Sequence, residues 1–226
     1  MKLLLIAATP FEVQPTIEYL HEHFEVESPY HFKKGSLEIT LLITGVGMAI
    51  SSFAITFTCY STKYDLLIQA GVAGAIDRKF KLGDVVEVVS DCMADLGVEE
   101  KDGSFQSMFD LGLLPENEFP FRNGRLWNQP EIERAFLPKV HGITVNKVHG
   151  SKSSIKQMKE NFPFAQVESM EGAAFFFVGL QMHGHVLQIR AISNYVEPRN
   201  KDAWKLNEAI VNLNEVLIEV INNLVA

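Results

Sequence analysis

Lys2-Leu3-Leu4-Leu5-Ile6-Ala7-Ala8 runs directly into Thr9-Pro10-Phe11-Glu12, and this junction decides the fold class. Seven residues, apolar after the lysine, read as a buried central strand. Thr at a helix N-cap, Pro at the first helical position and Glu three residues after Thr then start a helix expected to run towards His23. A signal peptide is the poorer reading, because the apolar run is short and is followed at once by a helix start.

The same alternation continues along the chain. Leu37 to Thr44 reads as a strand, Gly45-Val46-Gly47 as a turn and Met48 to Tyr60 as a buried helix. Leu66 to Ala70 is a short strand followed by the small-residue segment Gly71-Val72-Ala73-Gly74-Ala75, where backbone can approach a ligand closely. Lys81-Leu82-Gly83-Asp84 turns into the strand Val85 to Ser90. Further on come a strand at Ile143 to Val148, a short helix at Ser154 to Asn161, and a helix at Met170 to His183. A strand at Val186 to Ile192 and a closing helix at Trp204 to Val225 complete the pattern. Strands alternating with helices predict an α/β fold, a single three-layer α/β/α domain over 1–226 with a mixed, largely parallel central sheet. Between about 93 and 138 no period is sustained, and this stretch is expected to serve as a lid or an oligomer contact.

Composition narrows the function. The 226 residues, 47% hydrophobic and 21% charged, suffice for one large core. A net charge of -8 argues against nucleic acid as a partner. No apolar run is long enough to span a bilayer, so a cytoplasmic protein without a membrane partner is expected. Only Cys59 and Cys92 are present, which suits a reducing compartment and buried apolar roles. His21 and His23, and His183 and His185, are spaced two apart, which on a helix points them to different faces, so no metal site is expected.

Carboxylates and amides mark the candidate site. Ligands of such sheets bind beyond the carboxyl ends of the strands, where Glu12, Gly71, Glu171 and Asn194 are all expected. Each has a plain alternative: Glu12 as the acid of a capping box, Glu171 as an anion in the first turn of its helix, Asn194 as a turn former. Gly45-Val46-Gly47 alone is a weak dinucleotide signal, since Ile50 stands where the third small residue belongs. Glu168-Ser169-Met170-Glu171-Gly172 together with Arg190-Ala191-Ile192-Ser193-Asn194 suggests a nucleoside site, with carboxylate for sugar hydroxyls and amide for a purine edge.

These two motifs, with Ala7-Ala8-Thr9 and Glu12, Thr44 to Gly47, Ala70 to Ala75 and Leu82 to Val86, resemble the nucleoside phosphorylase and nucleosidase superfamily. Within it the likeness is greatest to the futalosine hydrolases of menaquinone biosynthesis. The resemblance implies cleavage of an N-glycosidic bond to a purine, without metal or organic cofactor, by a homodimer or larger homo-oligomer acting on a small-molecule nucleoside. It implies that Glu12 activates water, that Glu171 holds the ribose hydroxyls, that Met170 packs on the sugar, and that Gly71, Arg190 and Ser193 complete the substrate site. Asn194 stands where adenine-releasing relatives carry Asp. An amide donates a hydrogen bond but no proton, so a 6-oxopurine leaving group such as hypoxanthine suits it better than adenine. Val72 stands where related nucleosidases have Ser. The absence of Arg between Leu66 and Asp77 favours water over phosphate as nucleophile. Arg122 or Arg125, near Phe105, Phe109, Phe119 and Phe121, would suit the aryl carboxylate of futalosine. The rival readings are a methylthioadenosine-type nucleosidase, a phosphate-dependent phosphorylase, and a nucleoside-binding module without catalysis.

Overall fold

The computed structural model describes residues 1–128, 137–182 and 184–225. In chain order the elements are β1 (Lys2–Ala7), α1 (Pro10–His23), β2 (Glu25–Ser28), β3 (His31–Lys34), β4 (Leu37–Ile43) and α2 (Met48–Ser61). Then come β5 (Leu66–Ala75), β6 (Val85–Asp91), β7 (Gly97–Glu99), β8 (Phe105–Ser107), β9 (Leu126–Trp127) and β10 (Lys139–Thr144). The last are α3 (Lys152–Asn161), β11 (Val167–Ser169), α4 (Gly172–Gln181), β12 (His185–Tyr195) and α5 (Leu206–Val225).

Strands follow the order β11-β10-β6-β12-β5-β1-β4-β3-β2. The centre is parallel: β1 pairs with β4 and β5, and β5 with β12. β6 runs antiparallel to β12, and the end of β5 turns to pair antiparallel with β11. That last pairing closes β11, β10, β6, β12 and β5 into a ring, which leaves those strands without an open edge. β1 alternates faces. Leu3, Leu5 and Ala7 pack with Val13 and Leu20 of α1 and Leu213 and Leu217 of α5, while Leu4 and Ile6 pack with Ile55 of α2 and Phe175 and Phe176 of α4. The three layers expected from sequence are therefore present. No helix among the described residues is long and apolar enough to cross a membrane.

Several boundaries differ from the sequence expectation. β5 does not stop at Ala70 but continues through the small-residue segment to Ala75, and β12 continues to Tyr195. Pairing with β11 and β12 supplies the backbone partners that hold glycine and alanine extended. The strand expected at Ile143 to Val148 instead spans Lys139–Thr144, since in its first half Val140 is the single apolar residue, set among Lys139, His141 and Gly142, although that half is paired with β6. α4 begins at Gly172, after the short strand β11, so Glu171 is its N-cap rather than a first-turn residue. The end expected at His183 lies outside the described residues. The polar hairpin β2–β3 gave no apolar signal. In the irregular stretch, β7 and β8 form a small hairpin and β9 pairs with β6, while 129–136 lie outside the described residues.

Candidate active site

Three elements converge where β5 meets β12. Gly71 of β5 lies in register with Arg190 of β12, and Gly74 with Asn194. The register shifts between Ile192 and Asn194, which leaves Ser193 as the extra residue of a bulge. Bulges re-aim the side chains around them. Ser193 is buried; its hydroxyl donates to Asn194 Oδ1 at 2.8 Å, and Asn194 Nδ2 donates to the Tyr195 carbonyl at 3.1 Å.

Glu12 reaches this point from the first turn of α1. One carboxylate oxygen, Oε2, accepts from the Thr9 backbone N–H at 3.0 Å and the Thr9 hydroxyl at 3.1 Å, which is the capping role. The other, Oε1, accepts from the Val72 N–H at 3.1 Å. Capping and placement in the site are thus divided between two oxygens of one carboxylate. Val72 contributes through its backbone, which a side-chain comparison with Ser does not reveal. The helix is kinked at Val13, two residues before Pro15, which frees backbone groups behind Glu12. Asn214 of α5 takes them up: its Nδ2 donates to the Glu12 carbonyl at 2.9 Å and its Oδ1 accepts from the Thr16 N–H at 3.0 Å.

Glu171, 5% exposed, approaches from the N-cap of α4. Its Oε1 accepts from the Gly47 N–H at 3.0 Å, a donor presented by glycine at φ 96°, and its Oε2 lies 3.9 Å from Arg190 Nη1. Burial raises the Glu171 pKa; Arg190 and the Gly47 N–H pull it back down, and the charge of Glu12 pushes it up again. The two carboxylates therefore sense one another. Met170, half-buried, joins β11 to Glu171.

Arg190 is 1% exposed and almost wholly engaged within the protein. Its Nε donates to Gln188 Oε1 at 3.1 Å and its Nη2 to Gln69 Oε1 at 2.7 Å. Gln188 in turn donates to Asp91 Oδ2 at 3.2 Å, and Asp91 Oδ1 accepts from Cys92 N–H and the Thr144 hydroxyl. Burial pushes Asp91 up to about 6 despite these donors. Sequence reading missed Gln69, Gln188, Asp91 and Asn214. The signal for the glutamines was present, as each is a polar residue inside an apolar strand, where an amide must find partners. Cys92 is buried beside this network, and Cys59 is half-buried.

Gly71 keeps the centre open. A β-carbon there would lie 2.6 Å from Arg190 Nη1 and 2.7 Å from Glu12 Oε1, so both groups close on the space that glycine leaves empty. Two carboxylates, one guanidinium and an amide two turns of the pleat further along β12 make a site able to hold hydroxyls, orient a nucleophile and meet a base edge. The match of the family model described as the phosphorylase superfamily extends over residues 2–222. The chain belongs to the phosphorylase superfamily.

Proteins of two kinds are among those similar to this chain. A futalosine hydrolase of Streptomyces coelicolor is 29% identical over 159 residues, 68% of this chain, which spans 64% of that relative's length. A 5'-methylthioadenosine/S-adenosylhomocysteine nucleosidase of Glaesserella parasuis is 24% identical over 99% of both chains. Among solved structures, the futalosine hydrolase of Helicobacter pylori superposes with a TM-score of 0.78 at 17% identity, covering 99% of this chain and 98% of its own. That superposition establishes the shared fold.

Arg122 and Arg125 are placed differently. Arg122 is exposed, whereas Arg125 stacks against Trp127 and Phe164, donates to the Ser90 hydroxyl, and lines a cleft of about 310 Å³ with Phe105 and Phe109. His21 and His23 lie exposed on α1, against Phe32 and Tyr19 respectively, and His183 lies outside the described residues.

Proposed function

We propose that this protein hydrolyses the N-glycosidic bond of a 6-oxopurine nucleoside, with futalosine as substrate and hypoxanthine as the released base. The observation that carries the reading is the closure of Glu12 and Arg190 on the space at Gly71, with Glu171 on the same guanidinium, its Oε2 3.9 Å from Arg190 Nη1. Cleaving C1'–N9 makes the sugar oxocarbenium-like while negative charge builds on the purine. Ionised Glu12 orients and deprotonates water through Oε1, the oxygen not occupied by Thr9. Glu171 holds the ribose hydroxyls and offsets the developing positive charge. Met170 packs on the sugar, Gly71 leaves room for the water, Ser193 orients Asn194, and Asn194 donates to the leaving base. Arg190, 3.9 Å from Glu171, offsets part of the burial that raises the Glu171 pKa. The futalosine hydrolases among the relatives and the amide at 194 favour hypoxanthine over adenine. The reaction serves menaquinone synthesis in the cytoplasm.

The working unit is a homo-oligomer formed through α2. This helix buries only Ser51 and Ile55, and exposes Ile50, Phe53, Phe57 and Tyr60 along one face, Phe53 being 71% and Tyr60 85% exposed. A contiguous apolar face of this kind is what a second copy covers. It begins directly after Gly47, which holds Glu171.

The test is incubation of the purified protein with futalosine, inosine and methylthioadenosine, with and without phosphate, and chromatography of the base. Hypoxanthine from futalosine without phosphate is expected. Adenine from methylthioadenosine with nothing from futalosine overturns the substrate, and turnover that requires phosphate overturns hydrolysis.

A further inference from the structure

Gly74 of β5 has partners on both sides. Asn194 of β12 is in register with it on one, and Glu168 of β11 on the other, so the closure of the ring brings a third carboxylate alongside the amide. Glu168 is 4% exposed and is spent on a single residue. Its Oε1 accepts from the His149 backbone N–H at 3.1 Å, and its Oε2 pairs with His149 Nδ1. Two bonds from one carboxylate fix both the loop and the ring, and a proton on Nδ1 leaves Nε2 as the working nitrogen of the imidazole. His149, Glu168, Asn194 and Trp204 line one cavity of about 70 Å³, and His149 also lines the adjoining cleft of about 590 Å³.

Asn194 offers the departing purine a hydrogen bond and no proton. We propose that His149, held by Glu168, is the catalytic acid that protonates the leaving base. The inference rests on the reading of the site as a nucleoside hydrolase. The C1'–N9 bond breaks with its electron pair passing to the purine, and the water oxygen bonds to C1' while its proton passes to Glu12. The doubly protonated imidazole gives its Nε2 proton to a ring nitrogen of the purine, which leaves neutral. Glu12 returns its proton to solvent and His149 takes one from solvent, so nucleoside and water become free base and sugar. Glu168 is a positioning residue: it fixes which nitrogen faces the base, as the carboxylate partner of a catalytic histidine does.

Methylation at N7 separates this role from a merely structural one, because an N7-methylated purine already carries positive charge and leaves without a proton. The unaltered enzyme, His149→Gln, His149→Ala and Glu168→Gln are assayed on inosine, futalosine and their N7-methyl derivatives. Loss of a general acid costs about 10² to 10⁴ in rate. Both His149 variants are expected to lose that much kcat/KM on the unmethylated nucleosides and less than about tenfold on the methylated ones, with Glu168→Gln showing the same selectivity at smaller size. Retained cleavage of the methylated substrates also certifies a folded site. Equal loss from both classes in the two His149 variants, or no loss in either, overturns the assignment. Failure of the unaltered enzyme to release base from any of them overturns the hydrolase reading itself, and the inference with it.

Discussion

Replacing Gly71 by alanine tests whether the convergence on this residue governs turnover. The added methyl would stand 2.6 Å from Arg190 Nη1, 2.7 Å from Glu12 Oε1 and 3.4 Å from Glu12 Cδ. Neither group retreats freely, since Arg190 is tied to Gln69 and Gln188, and Glu12 to Thr9 and Val72. Each must move by a sizeable part of an ångström, and misplacement of a catalytic group by about 1 Å costs on the order of 10²-fold. Overpacking a closely filled interior adds about 1 to 3 kcal/mol of instability. Gly71→Ala should therefore lower kcat/KM for base release about 100-fold while remaining folded, with a melting temperature reduced by several degrees. Steady-state kinetics by chromatography and a thermal melt by circular dichroism read both quantities. A folded Gly71→Ala variant with kcat/KM within about threefold of the unaltered enzyme would refute the reasoning, because Glu12 and Arg190 would then not need these positions.

Glu12→Gln should cut kcat by about 10² to 10⁴ with the fold intact, as measured by base release and a thermal melt. Asp91→Asn tests burial: the native carboxyl, raised from 3.8 to about 6, keeps a proton that the unfolded chain releases. Its stabilising contribution is therefore full below about pH 4 and declines as pH rises through about 6, by about 3 kcal/mol in all. Melts across this range should show the unaltered protein losing stability relative to Asp91→Asn, and a constant difference would refute the assignment. Phe53→Asp together with Phe57→Asp should convert an oligomer to a 25.4 kDa monomer in sedimentation velocity; a monomeric unaltered protein would dispose of the α2 interface. Arg125→Gln should raise KM for futalosine about 10- to 100-fold more than for inosine, the worth of one charge-assisted hydrogen bond, in parallel steady-state assays.

What the sequence disclosed followed from local rules. The Thr9-Pro10-Phe11-Glu12 junction forms as read because capping and the Pro preference act within four residues. Placement of Glu171 near Arg190 and of Asn194 beside Gly74 was legible only as an expectation that strands end at one edge. The register that realises it, Gly71 with Arg190 and Gly74 with Asn194, depends on pairing between residues more than a hundred positions apart. The closure of β5 onto β11 was invisible for the same reason, and with it the position of Glu168. Asn214, which supports Glu12 from the far end of the chain, looks like any polar residue of an amphipathic helix until the kink at Val13 creates groups for it to satisfy.

The same geometry favours water over phosphate on electrostatic grounds. A phosphate nucleophile needs cationic donors that are free to receive it. Arg190 is the cation at the centre of this site, and its Nε and Nη2 are already committed to glutamine carbonyls while Nη1 faces Glu171. Arg78, the next arginine along β5's continuation, pairs instead with Glu197. The carboxylate of Glu12 faces the space at Gly71 through Oε1. At an effective dielectric of about 20, one unit charge 4 Å from another contributes about 4 kcal/mol, so a phosphate bearing one to two charges would be repelled strongly with little to compensate it. Water meets no such penalty, and the same carboxylate that excludes the anion gains by accepting a proton from water. Charge-neutral Glu12→Gln should thus lose hydrolysis without gaining a phosphate-dependent reaction, because the donors that phosphate requires remain bound to Gln69 and Gln188.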